Sequence, residues 1–317
     1  MMNADSIKSK LRNLAQQANK PYDYLLMHFF IERLLYRLSI SSYAKNFILK
    51  GGLLLYAMLE NDARATRDVD FLAQRLDNTP EDLIGIFVNI CAIEADDAIR
   101  FDTSTIRAAR IKEDADYEGV RIKLTAYLDK SRQMLQFDIG YGDVIVPKPL
   151  DLDYPSLLNM ERPRLKVYSM ESVISEKFEA MIALADVNSR MKDFYDVYTL
   201  SRTHDFDGHI LYEAIRQTLQ RRGTPLVQTP IVFTDDFAGD KGKQTQWASF
   251  ERRICATQVI PFENVLSRVK AFLAPIYASI LLGDDFFGRW ESASSEKWDL
   301  HKNYSNLESE IDNNEVE

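Results

Sequence analysis

The sequence predicts an α+β protein: an α/β head whose mixed or antiparallel sheet is flanked by helices, followed by a mainly helical C-terminal domain. Three observations lead there. Between residues 46 and 146, short stretches of apolar–polar alternation recur with turn residues between them. Residues 5–38, and the chain from 170 onward, instead repeat apolar residues at three- and four-residue steps. The length, 317 residues of which 46% are hydrophobic, suits about two cores at roughly 100–200 residues per domain. The expected division is a head over residues 1–168, a helical domain over 169–300 and an acidic tail over 301–317.

In chain order, Leu25, Leu26, Phe29, Phe30, Leu34, Leu35 and Leu38 mark a helical stripe, with Arg33 and Arg37 on another face and Pro21 suiting a helix start. Asn46–Lys50 reads as a short strand that stops at Gly51-Gly52, and a run of helix formers follows from Leu53. Arg67–Leu72 alternates, with Val69 and Phe71 on one side and Asp68 and Asp70 on the other. Glu81–Ile93 reads as a helix behind the sheet. Val120, Ile122 and Leu124, then Leu135, Phe137 and Ile139, alternate with polar residues around turn signals at Asp129–Arg132, the pattern of a hairpin. Pro147 and Pro149 are expected to close the sheet region. Helical spacing resumes at Met170–Ala185, Lys192–Leu200, His209–Gln220 and Phe262–Leu281, while Gly223–Gln246 is rich in turn formers and weakly periodic. Glu308–Glu317, acidic with no basic residue, reads as a frayed tail.

Composition excludes several classes. Lys and Arg number 39 against 48 Asp and Glu, a formal charge of −9, which argues against coating nucleic acid but not against gripping one RNA end locally. Two cysteines, Cys91 and Cys255, exclude a disulfide framework and point to a reducing cytoplasm. The first twenty residues resemble no signal peptide, and no uninterrupted apolar run nears the ~18 residues of a membrane span, so no membrane role is expected. Four scattered histidines offer no zinc site and no other assignable role.

The carboxylates carry the chemistry. A strand places Asp68 and Asp70 on the same face about 7 Å apart along the backbone. Two such charges repel unless a cation or basic groups neutralise them, and magnesium prefers oxygen ligands of this kind. Asp138 occupies a polar position of an alternating strand in the same region: either it completes a two-metal site or it pairs with Arg121 or Lys123. Lys50-Gly51-Gly52 ends a strand and opens a helix, where backbone N–H groups can approach phosphate. Asp193 is a candidate helix cap, Glu176-Lys177 by itself suits a solvated face, and Arg64 either clamps phosphate or pairs with an acid.

Together, Lys50-Gly51-Gly52, Arg64-x-Thr66-x-Asp68-Val69-Asp70, Asp138-Ile139-Gly140, Glu176-Lys177 and Arg190–Asp196 resemble the AbiEii/AbiGii toxin family of the polymerase-β-like nucleotidyltransferase superfamily. The likeness runs from about Tyr24 to Ser201. It implies that Gly51 and Gly52, with Lys50, Arg64 and Thr66, hold a nucleoside triphosphate. It also implies that Asp68, Asp70 and Asp138 bind magnesium, that Lys177 reaches the triphosphate across a cleft, and that Asp193 orients Lys177 or the nucleotide. The implied reaction moves a nucleoside monophosphate to an acceptor hydroxyl, on a tRNA 3′ end or a protein, by a toxin with a cognate antitoxin. A metal-dependent nuclease and a non-catalytic nucleotide-sensing or partner-binding module are the alternatives.

Overall fold

The computed structural model describes residues 3–59, 64–113, 117–254, 259–293 and 297–300; the expected tail over residues 301–317 and Cys255 lie outside the described residues. The chain divides into two compact units: residues 1–143 with 148–169, and residues 144–147 with 170–317.

In the first unit, α1 (Ala4–Gln17) and α2 (Tyr22–Ser39) precede β1 (Phe47–Lys50) and α3 (Gly51–Leu59). Then come β2 (Val69–Ala73), α4 (Pro80–Cys91), β3 (Ile99–Glu113), β4 (Tyr117–Leu128), β5 (Ser131–Tyr141), β6 (Leu150–Asp153) and β7 (Arg164–Val167). Thr79 caps α4 by accepting from the Asp82 N–H, and Pro80 takes the first-turn position its fixed φ suits. The seven strands form one sheet in the order β3-β4-β5-β2-β1-β7-β6. β2 with β5 and β1 with β7 are parallel and the remaining pairs antiparallel, so the sheet is mixed. Pro147 and Pro149 do not end it: they precede β6, and the β6–β7 hairpin adds itself beside β1. A proline excludes central pairing only at its own residue, and both stand in the approach to the new strand.

α2 and α4 cover one face of this sheet. Phe47, Phe71, Phe87 and Phe137 meet there through edge-on and tilted ring contacts. Arg33 and Arg37 turn inward: both donate to Asp97, which is fully buried, with Arg37 bidentate at 2.6 and 2.9 Å. Guanidinium–carboxylate pairing of this geometry makes the burial of charge tolerable.

The second unit is built on α5 (Met170–Leu184), α6 (Met191–Thr203), α7 (Gly208–Arg222), a short α8 (Asp235–Gly239), α9 (Lys241–Ile254) and α10 (Phe262–Leu282). A small antiparallel sheet joins β8 (Phe206–Asp207), β9 (Gly288–Trp290) and β10 (Asp299–Leu300). α10 alone among the described helices is long and apolar enough to cross a membrane. Here it is a core helix: Val269, Phe272, Leu273 and Ile276 are buried, and it packs on α6 and α7.

Candidate active site

The site of the first unit begins where β1 ends. Lys50 pairs in register with Asp70 of β2, Asp70 with Asp138 of β5, and Asp138 with Arg121 of β4. One rung of the sheet therefore reads Lys, Asp, Asp, Arg, with its two negative charges on adjacent strands.

Gly51 has φ +68°, the left-handed region that glycine enters without steric cost. A Cβ at Gly51 would lie 2.0 Å from Asp70 Oδ2, so the carboxylate occupies the space a side chain would fill. A Cβ at Gly52 would lie 2.8 Å from Thr66 Oγ1 and 3.3 Å from Arg64 Nη2. The two glycines, Arg64, Thr66 and Asp70 thus form a single cluster at the N-terminus of α3, whose first N–H groups have no partner within the helix.

His28, whose sequence context suggests no role, supports this cluster. Its Nε2 lies 3.1 Å from the Thr66 carbonyl, which can only accept, so Nε2 carries the proton. The imidazole lies between the rings of Tyr24 and Tyr56. Burial pushes its pKa down to about 4; the Thr66 carbonyl opposes this and the Lys20 charge adds to it. The ring is therefore neutral at pH 7. The only signal in the sequence is the placement of Tyr24 and His28 one turn apart on α2.

Asp68 lies just before β2, exposed, and accepts from Gln136 Nε2 at 3.2 Å. Asp138 is paired with Arg121, whose Nε and Nη2 donate to its two oxygens at 2.8 and 2.7 Å. Lys50 is buried, donates to Asp143 Oδ2 at 3.0 Å, and stands over the Tyr168 ring. Asp143 went unseen in the sequence because nothing in its local pattern distinguishes it from a loop acid.

Among the described residues, no three His, Cys, Asp or Glu side chains form a ready-made metal cage. Magnesium rarely needs one, since it is commonly held by one or two carboxylates with water and phosphate oxygens completing the octahedron. Asp68 and Asp70, at the start of the interior strand β2 beside the Gly51 turn, fit that requirement. Asp138 keeps lone pairs beyond its two bonds from Arg121.

In the second unit, Lys177 of α5 donates to Asp193 Oδ1 at 2.9 Å and Asp196 Oδ2 at 2.7 Å, and Arg190 Nε donates to Asp193 Oδ2 at 2.6 Å. All three acceptor and amine groups are buried. Burial opposes ionisation of Asp193, but the Lys177 and Arg190 charges outweigh it and hold its carboxyl at about 2. Asp193 is therefore ionised against Lys177. Asp196, within the motif but without an assigned part, is its second clamp, legible as the i+3 neighbour of Asp193 on α6. The connector ahead of α6 is itself fixed: Lys243 Nζ donates to the carbonyls of Asp186 and Asn188, each at 2.6 Å.

The profile of the family described as nucleotidyl transferase AbiEii toxin, type IV toxin–antitoxin system, matches residues 33–268. The chain belongs to this family. It is a nucleotidyltransferase of the toxin–antitoxin class. No curated protein matches it by sequence. Among solved structures, the AbiEii-family chain is similar to MenT4, a nucleotidyltransferase toxin from Mycobacterium tuberculosis H37Rv, at 15% identity and a TM-score of 0.51, covering 87% of this chain and 99% of that one. A second is described as a putative nucleotidyltransferase from H. pylori, at 13% identity and a TM-score of 0.43, covering 83% and 96%. At this identity, the MenT4 likeness supports the shared fold and nothing finer.

Proposed function

We propose that this AbiEii-family protein transfers a nucleoside monophosphate from a nucleoside triphosphate to an acceptor hydroxyl, on an RNA end such as a tRNA 3′ terminus or on a protein, and acts as the toxin opposed by a cognate antitoxin. The observation that carries the reading is the fit of the Asp70 carboxylate into the space above Gly51, with Thr66 and Arg64 closing over Gly52. Backbone N–H groups, a hydroxyl and a guanidinium there suit phosphate, while the carboxylates beside them suit the metal that accompanies it.

In this reading the first turn of α3, Thr66 and Arg64 bind the triphosphate. Asp68 and Asp70 hold magnesium, which when bound supplies neutralisation of the α-phosphate charge. Asp138, fixed by Arg121, completes the negative rung. Lys50 acts through Asp143, setting where β1 ends and the glycine turn starts. Lys177, held by Asp193 and Asp196, is a preorganised positive charge. The chain's own work is orientation and preorganised electrostatics.

The test is incubation of the protein and magnesium with each of the four α-labelled triphosphates, against total RNA and against cell lysate. Label on an acceptor is the expected result. Shortened RNA without label would replace transfer with cleavage, and tight triphosphate binding with no labelled product would replace the enzyme with a nucleotide sensor.

A further inference from the structure

The polar face of the sheet does not end at Asp68 and Asp70. Asp68 accepts from Gln136, Gln136 is opposite Lys123, and Lys123 is opposite Arg107. Four residues further along β5, Arg132 is opposite Tyr127, and Tyr127 is opposite Arg100, whose guanidinium lies 4.2 Å from the Tyr127 ring centre. Along β4 the other face is shut: Ile122, Leu124, Ala126 and Leu128 are buried, whereas Arg121, Lys123, Thr125 and Tyr127 are partly exposed. Met134, between Arg132 and Gln136 on β5, is 65% exposed.

Beyond Asp68, Asp70 and Asp138, the charge of this face is mainly basic. Arg100 approaches Asp102 at 3.6 Å and Arg121 is committed to Asp138. Arg107, which donates to the Ser104 and Ile106 carbonyls, forms no ion pair among the described residues, and neither do Lys123 and Arg132. In a chain of net charge −9 this is a local basic field. At about 4.8 Å per strand, Lys123 and Arg107 stand roughly 10 and 14 Å from Asp68, too far out to serve a triphosphate gripped at Gly51.

The side on which they stand matters. Gly51 and Gly52 follow β1, while β5, β4 and β3 lie across β2 from it. In transfer, the acceptor oxygen bonds to the α-phosphorus as the bond to the β-phosphate oxygen breaks; pyrophosphate leaves with that electron pair and the hydroxyl proton passes to water. In-line geometry puts the incoming hydroxyl opposite the departing pyrophosphate. With pyrophosphate on the β1 side, the acceptor arrives over β5 and β4.

We propose that the open face of β5, β4 and β3 seats the acceptor, and that the acceptor is a single-stranded nucleic-acid end: its phosphates meet Arg107, Lys123 and Arg132, and a base lies against Tyr127 or Met134. This rests on the nucleotidyl-transfer reading. Open sheets with basic and aromatic side chains bind single strands in this manner.

The test compares the full chain with the triple variant Arg107→Gln/Lys123→Gln/Arg132→Gln, whose altered side chains are outside the core, with melts confirming that both are folded and Lys123→Gln as a milder variant. Binding of a fluorescent single-stranded RNA and of DNA of the same sequence is followed against salt, with magnesium–triphosphate affinity measured alongside. The variant is expected to lose at least tenfold in affinity for one or both strands, to raise the acceptor KM and to keep its triphosphate affinity. Its salt slope should fall by about 2, at about 0.7 per lost contact on a single strand. Unchanged strand affinity and slope would overturn the proposal, as would wild-type protein that labels proteins and no nucleic acid; both leave nucleotidyl transfer standing. Wild-type protein that labels no acceptor at all would overturn transfer itself, and the proposal with it.

Discussion

Gly51→Ala probes the geometry on which the site depends. The new Cβ would lie 2.0 Å from Asp70 Oδ2, 2.7 Å from its Cγ and 2.9 Å from its Cβ, at a backbone φ of +68°. Holding a non-glycine residue in that region costs about 1–2 kcal/mol. Driving the Asp70 side chain off its rotamer adds about 0.5–1.5 kcal/mol, for a total of about 1.5–3.5 kcal/mol. At ~2–4 °C per kcal/mol, the transition of the first unit should fall by roughly 3–14 °C. In the proposed role of Asp70 as a metal ligand, activity should fall further, by about a hundredfold, because a carboxylate displaced by an ångström no longer meets its metal. The assay is a double-mutant cycle with Asp70→Ala, read by melts. Without Oδ2 and Cγ the clash is mostly relieved, so Gly51→Ala should cost only its backbone share in that background, a coupling of about 0.5–1.5 kcal/mol. An alanine that leaves melting and transfer at wild-type values, or an equal penalty in both backgrounds, would refute the placement of Asp70 over the turn.

Other perturbations separate structural from chemical roles. Asp138→Asn removes the negative charge and one of the two oxygens that accept from Arg121 and should cost about 1–3 kcal/mol in a denaturant melt, a loss that Arg121→Ala in the same background should not deepen. Lys177→Met leaves two buried carboxylates with reduced compensation and should destabilise by about 3–5 kcal/mol, with Asp196→Asn restoring part of it. Because the Asp193 carboxyl titrates at about 2 in the fold, below its unfolded value, its stabilisation is complete above about pH 4 and is lost as pH falls towards 2. Asp193→Asn should flatten that acid limb in melts taken down to low pH. His28, titrating at about 4 when folded, gives a second slope: the unfolded chain takes up a proton first, so stability falls between about pH 6.5 and 4, and His28→Phe should abolish that slope.

The sequence made the centre of the head legible because three signals coincide there: alternation through Val69 and Phe71, a double glycine at a strand end, and apolar helix formers immediately after. Its margins were less legible. β3 begins at Ile99, but a register shift between Asp102 and Arg107 interrupts the alternation that would announce it. β6 is a four-residue edge strand with little burial, so its pattern is nearly polar, and the two prolines before it read as an end. α9 has a low apolar content and is fixed mainly by Trp247 and Phe250, whose rings pack with Phe262 and Tyr195, contacts absent from local sequence. At the site, the residue types were readable but several partners were not. Lys50 faces Asp143, and His28 faces Thr66, across 93 and 38 positions of sequence. Tertiary pairing of that range leaves no periodic trace.

Asp70→Asn tests the catalytic claim most directly, with transfer from labelled triphosphate and metal-free melting measured on the same preparation. Asp70 stands next to Asp138 in register, so neutralising it at constant shape relieves like-charge repulsion while removing the proposed magnesium ligand. The catalytic account predicts a melting temperature equal to or slightly above wild type, with transfer reduced by orders of magnitude. A clear fall in melting temperature with retained specific activity would contradict it and make Asp70 a structural acid.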